Sequence, residues 1–174
     1  MIAAAARHAD VVMLLLGADL VRLEWGLEQA RNARREAGLD PEGIRYGAYL
    51  NVTCHPDIDV AREITHWLAG TARFSIMHGK TNGPVTQRDQ EVLTAVHESY
   101  DVRNHSSTAT LPVEFVDRLA IIGPPDECIR RIHELVEMGF TRLVLYGPSL
   151  EAAEGDEKLA ADLMAREVLP AFSG

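Results

Sequence analysis

Short apolar runs set between helical repeats leave this chain few ways to fold. Val11–Leu16 is a continuous apolar run closed by Gly17. A run that short, without alternation, suits a strand buried on both faces of a parallel sheet. Farther on, Ile44, Tyr46, Ala48, Leu50 and Val52 alternate with Arg45, Gly47, Tyr49, Asn51 and Thr53. This predicts a second strand, with His55-Pro56 at its C-terminal end because proline cannot extend a ladder. Thr141–Tyr146, followed by Gly147-Pro148, is the third.

Helical patterns fill the intervals. The alanine-rich Ile2–His8 reads as the tail of a helix. Asp19 can cap the next one, in which Leu20, Leu23, Leu27 and Ala30 recur at helical spacing before Gly38 stops it. Further helices are predicted from about Ile58 to Ala69 and from about Gln87 to Tyr100, the latter behind a Thr86/Asp89 capping box. Asp101–Pro112 reads as a polar loop. Gly123-Pro124-Pro125 opens a helix that Gly139 closes, and a last helix runs from about Asp156 to Leu169, ending near Pro170. Strands alternating with helices imply right-handed crossovers and a parallel α/β sheet. Three strands are few for such a sheet, since both edges would carry unpaired backbone groups.

At 174 residues the chain can bury one domain-sized core. Its net charge of -9 argues against binding nucleic acid or an anionic membrane, either of which needs a basic surface. Two cysteines, Cys54 and Cys128, fit a reducing compartment better than a disulfide-stapled secreted domain. The apolar start is interrupted by Arg7, His8 and Asp10, lacks a basic leader, and is too short to span a bilayer. The expectation is a soluble, cytoplasmic protein.

Several motifs fail on inspection. His78-Gly79-Lys80-Thr81 ends like a phosphate-binding loop, but the glycine required upstream is Phe74. His97-Glu98 and His133-Glu134 begin like zinc-protease helices, yet Asp101 and Glu137 stand where the second histidine belongs, and no metal site is expected. Gly147-Pro148-Ser149 does not continue as a nucleophile elbow, and no dinucleotide glycine fingerprint occurs. Cys128, in the first turn of its helix beside Ile129, reads as a buried structural thiol. More informative are the C-terminal strand ends, where (βα)8 barrels keep their chemistry: Leu16-Gly17, Asn51 to His55, and Tyr146-Gly147. Alternation puts Tyr49, Asn51, Thr53 and His55 on one side and the aliphatic residues on the helix side. Asn51 and Thr53 could contact a ligand or merely satisfy buried backbone groups, and both readings stay open at this point.

Ala9–Leu14, the helix to Gly38 and Ile44–His55 resemble the sixth and seventh strand units of luciferase-like oxidoreductases. Phe115–Gly123 running into Pro124–Ile129, then Glu137–Leu145, is similar to the closing segment of that family, which includes deazaflavin-dependent methylenetetrahydromethanopterin reductases. The resemblance implies the C-terminal part of a (βα)8 TIM barrel, about strands six to eight. It implies one partial-barrel domain over residues 1–174, with 71–112 as a variable helical insertion. It further implies a flavin- or deazaflavin-dependent oxidoreductase acting on a small molecule, with FMN or coenzyme F420 as cofactor. Family members are about twice as long, and their first five strands carry most ring contacts and the catalytic residues, so none of the latter can be assigned here. Gly17, Asn51, His55, His78 and Gly147 are the candidate cofactor-binding residues. Sugar-phosphate dehydrogenases of the family hold the substrate phosphate with a threonine and a lysine after the sixth strand. Leu15–Asp19 has neither, so a sugar phosphate is not the expected substrate. The competing expectation is a non-catalytic module, either a truncated barrel fragment or an assembly partner that pairs its open sheet with another copy or another chain.

Overall fold

The computed structural model describes residues 1–65, 68, 72, 75–77, 80–81, 83–101, 103, 106–107, 111–148 and 154–172. The chain runs α1 (Ile2–His8), β1 (Val11–Leu14), α2 (Leu20–Glu36), β2 (Arg45–Cys54), α3 (Ile58–Ile64), α4 (Gln87–Ser99), α5 (Val113–Leu119), β3 (Ala120–Gly123), α6 (Pro125–Met138), β4 (Arg142–Tyr146) and α7 (Gly155–Leu163). A wider helical turn, Met164–Val168, and a tighter one, Leu169–Phe172, extend α7.

β2 is the centre of an all-parallel sheet. β1 and β4 both pair with Gly47 and Ala48, so they occupy opposite edges of β2. β3 and β4 both pair with Asn51, which puts β3 on the same edge as β1, beyond its C-terminal end. On one side of the sheet, Tyr46, Ala48, Leu50, Val52 and Cys54 pack with Leu23, Leu27 and Ala30 of α2 and with Cys128, Ile132 and Leu135 of α6. Burying each large side chain stabilises this layer by roughly 2 kcal/mol. Gly26 lets α2 lie close on β1, since a Cβ there would sit 2.7 Å from methyl groups of Leu14 and Leu16. A second core joins Ala61, Leu93, Val96, Phe115 and Leu119 of α3, α4 and α5 to Ala120 and Ile122 of β3.

The helix signals act as expected. Asp19 accepts hydrogen bonds from the N–H groups of Val21 and Arg22, and Thr86 and Asp89 form the reciprocal capping box. Pro125 occupies the first turn of α6, and Gly139 ends it with φ of 108°. The sequence reading missed two elements, α5 and β3. Phe115–Ile122 is a nearly continuous apolar stretch whose period cannot separate helix from strand, and its strand half is only four residues long. The sheet therefore has four strands rather than three. Two-residue antiparallel ladders join Ile76–Met77 to Lys80–Thr81 and Tyr100–Asp101 to Ser106–Ser107, the latter falling largely in the stretch from Asp101 expected as a polar loop. Pro170 does not end the last helical segment but sits inside its closing turn. Among the described residues, no helix is long and apolar enough to cross a membrane.

Candidate functional site

Two faces of one sheet divide the labour. The helix-facing side is aliphatic, whereas the other carries Met13 opposite Gly47, Tyr49 opposite Val144, and Asn51 opposite Tyr146. Gly47 is required because a Cβ there would collide with the Met13 sulfur and the Arg142 carbonyl. At the C-terminal end of this face the rings of Tyr49 and Tyr146 stack, with centroids 5.8 Å apart and planes 25° from parallel. Tyr146 is 47% exposed, so the stack presents an open aromatic surface. The basic residues of this face, Arg45 and Arg142, lie toward the opposite end of their strands.

Of the sequence-derived candidates, Gly17, Asn51, His55 and Gly147 gather at the C-terminal ends of β1, β2 and β4. His78 lies outside the described residues. Gly17 adopts φ of 77°, and a Cβ on it would sit 2.8 Å from the Leu119 side chain. Gly147 lets the chain pass close to β2, where a Cβ would lie 2.7 Å from the Val52 carbonyl. Asn51 and Thr53 are buried rather than set in an open mouth, and the Thr53 hydroxyl is hydrogen-bonded to that of Thr65 at 2.9 Å. His55 is also buried. Its Nδ1 lies 3.1 Å from the Asp57 N–H and 3.0 Å from the Asp57 carbonyl oxygen, and its Nε2 lies 3.5 Å from Asp156 Oδ1. The first turn of α7 thus rests on the end of β2.

A charged cluster flanks the β1 end of the site. Arg22 donates to Ser75 Oγ at 3.2 Å from both terminal nitrogens, and Arg118 meets Asp19 at 3.0 Å and Asp89 on its other side. Burial holds the Arg22 guanidinium below its ordinary range, with Asp19 opposing that effect. These cations are engaged by protein partners. Along the edge of β1 away from β2 runs a groove of about 600 Å³, lined by Ile2, Ala5, Met13, Leu15, Trp25 and Gln29. A second hollow of about 490 Å³, between Asp10 and Glu42–Arg45, lies at the N-terminal end of the sheet, where parallel α/β proteins rarely place ligands. Sequence reasoning placed Tyr146 at a strand end and Tyr49 on the interior side without choosing either as a site residue, and it did not single out Asp156. Alternation placed Tyr49 on the right face, but its meeting with Tyr146 depends on a register between distant strands.

A parallel sheet wound through helices, with polar and aromatic groups at its C-terminal strand ends, defines an α/β protein. Residues 1–142 match the luciferase-like monooxygenase family, and the chain belongs to it. No curated protein sequence matches the chain. Among solved structures, the coenzyme F420-dependent tetrahydromethanopterin reductase of Methanopyrus kandleri is similar over 99% of this chain and 48% of its own, with 21% identity and a TM-score of 0.66. An F420-dependent secondary alcohol dehydrogenase bound to an F420-acetone adduct is similar over 99% of this chain and 46% of its own, at 18% identity and a TM-score of 0.63. The oxygenating constituent of 3,6-diketocamphane monooxygenase of Pseudomonas putida, in complex with FMN, covers 97% and 44% at 18% identity and a TM-score of 0.53. The chain spans about half the length of these structures. At such identities the likeness is one of fold.

Proposed function

We propose that this chain is the C-terminal part of a (βα)8 barrel, about strands six to eight, and walls the cofactor and substrate cavity of a luciferase-like oxidoreductase. β1, β2 and β4 are the three barrel strands in this reading, and β3 is an extra strand bordering the insertion. The observation that carries it is the open Tyr49–Tyr146 stack beside Asn51, at the strand ends where barrel enzymes act. The cofactor is FMN or coenzyme F420, as in the F420-dependent and FMN-bound structures of similar fold.

The residues fit the ring of such a cofactor better than its phosphate. Tyr146 offers an aromatic face, and Met13 and Val144 continue an apolar wall that would exclude water. Arg22, Arg118 and Arg131, near the end of β1, are already held by Ser75, by Asp19 and Asp89, and by backbone carbonyls, so phosphate contacts fall to residues outside this set. When bound, the ring would supply hydride transfer, or oxygen insertion in its reduced flavin form. This chain's part is to bind and orient the ring, with Asn51 fixed by the strand register and His55 holding α7 over the strand end. The substrate is a small molecule other than a sugar phosphate.

A second reading is favoured by the sheet itself. β1 offers an apolar groove along its outer edge, and both Arg142 and Tyr146 of β4 are exposed, as in a module that pairs with another copy or another chain. A fluorescence titration of the purified chain with FMN and with coenzyme F420, run beside its mass in solution, separates the two. Saturable micromolar binding supports the cavity wall. No binding by a self-associated chain supports the pairing module.

A further inference from the structure

Behind the candidate site, on the helix-facing side of the sheet, two cysteines meet. Cys54 ends β2 and Cys128 lies in the first turn of α6, yet both belong to the same core and both are fully buried. Their meeting has a backbone cause. Cys54 is the register partner of Gly123 across the β2–β3 ladder, and the Cys128 sulfur lies 3.5 Å from the Gly123 carbonyl oxygen. Gly123 therefore brings the two cysteines to one place in the core. We propose that Cys54 and Cys128 are a redox modification site that a hydroperoxide converts to an intramolecular disulfide, pinning α6 to the end of β2.

The pair is asymmetric. The Cys128 thiol beside it holds Cys54 below its ordinary range, although burial opposes this. Cys128 is pushed up, first by Cys54 and then by burial. The Cys128 thiol also donates to the Gly123 carbonyl at 3.5 Å, which favours its protonated form, so Cys54 is the attacking sulfur. Its thiolate displaces one oxygen of the peroxide O–O bond, giving a sulfenic acid and releasing an alcohol, or water when the oxidant is hydrogen peroxide. The Cys128 sulfur then attacks the sulfenic sulfur, its proton leaves with the hydroxyl as water, and the S–S bond forms. Two thiols and one hydroperoxide become one disulfide, one alcohol and one water. Full burial keeps bulky thiols and disulfides away while admitting a small oxidant during local opening. The linkage would sit directly before His55, so the chain's redox state reaches the strand end that carries the site.

The test uses the full chain, reduced and then treated with hydrogen peroxide below any unfolding temperature. Thiols are counted after denaturation in blocking reagent, and the peptides are mapped by mass. The expected result is the joint loss of both thiols, a chain lighter by two hydrogens, and a single cross-linked peptide pair joining Cys54 to Cys128. Cys54→Ala should slow oxidation of the remaining thiol by at least about tenfold, and Cys128→Ala should stop Cys54 at an oxygenated form. The wild-type peptide map stands by itself if either variant fails to fold. Two thiols that persist until unfolding, oxygen added to one cysteine of the wild type, or a disulfide between two chains would each overturn the proposal.

Discussion

The N–H of Ala18 donates to the carbonyl of Leu119 at 2.8 Å, joining the end of β1 to the start of β3. This bond continues the edge of β2 past the last residue of β1. Gly17 stands next to it with its α-carbon facing Leu119, and the Arg131 guanidinium closes the junction from α6. The α5–β3 segment is anchored to the end of β1 at this point.

Gly17→Ala is expected to lose about 2–4 kcal/mol, the sum of a left-handed backbone and an overpacked contact with Leu119. Urea unfolding monitored by circular dichroism measures it. A midpoint within error of wild type would mean the junction relaxes freely.

Arg131→Met should also destabilise the chain. Its guanidinium donates to the carbonyls of Asp117 at 3.0 Å and Ala120 at 2.5 Å and reaches that of Ala18 at 3.4 Å. A methionine keeps the stem but leaves buried acceptors without donors, costing about 1–3 kcal/mol. Hydrogen exchange should then report faster opening at β3 than at β2.

Tyr146→Ala tests the proposed ring platform. Because Tyr146 is 47% exposed, fold stability should change little. Affinity for FMN or coenzyme F420 should fall by about threefold to tenfold, the worth of one aromatic stacking contact. Tyr146→Phe should retain it. Equal affinity in the alanine variant would remove Tyr146 from the site.

Acid should weaken the packing of α4 on α5 through Asp89. Burial pushes this carboxyl up, but hydrogen bonds from Arg118 and Thr86 outweigh it and hold the carboxyl below its ordinary value of 3.8. A depressed folded-state value means stability that is complete above that ordinary value and lost as pH falls through the depressed one. Asp89→Asn should flatten this acid limb while lowering stability at neutral pH. An unchanged slope below about pH 4 would assign the acid sensitivity elsewhere.

How much could be read in advance follows from the range of each signal. Asp19, the Thr86/Asp89 box, Pro125 and Gly139 act within a few residues of where they stand, and their helix ends were legible. The alternation of β2 gave the correct division into an aliphatic face and a face bearing Asn51 and Thr53. It did not show that Asn51, Thr53 and His55 would lie buried. That follows from Thr65 beyond α3 and Asp156 of α7, which are brought onto the strand end by chain reversals.

The sequence by itself determined three of the four sheet strands with most of the helices between them, several helix ends, and the side of β2 that faces apolar helices, because periodicity and capping are local properties of the backbone. Only the tertiary structure decided that Ala120–Gly123 joins the sheet, that Tyr49 stacks on Tyr146, and that Cys54 meets Cys128. Each of these depends on strand register, and register is set by the packing of the whole sheet against its helices rather than by any one segment.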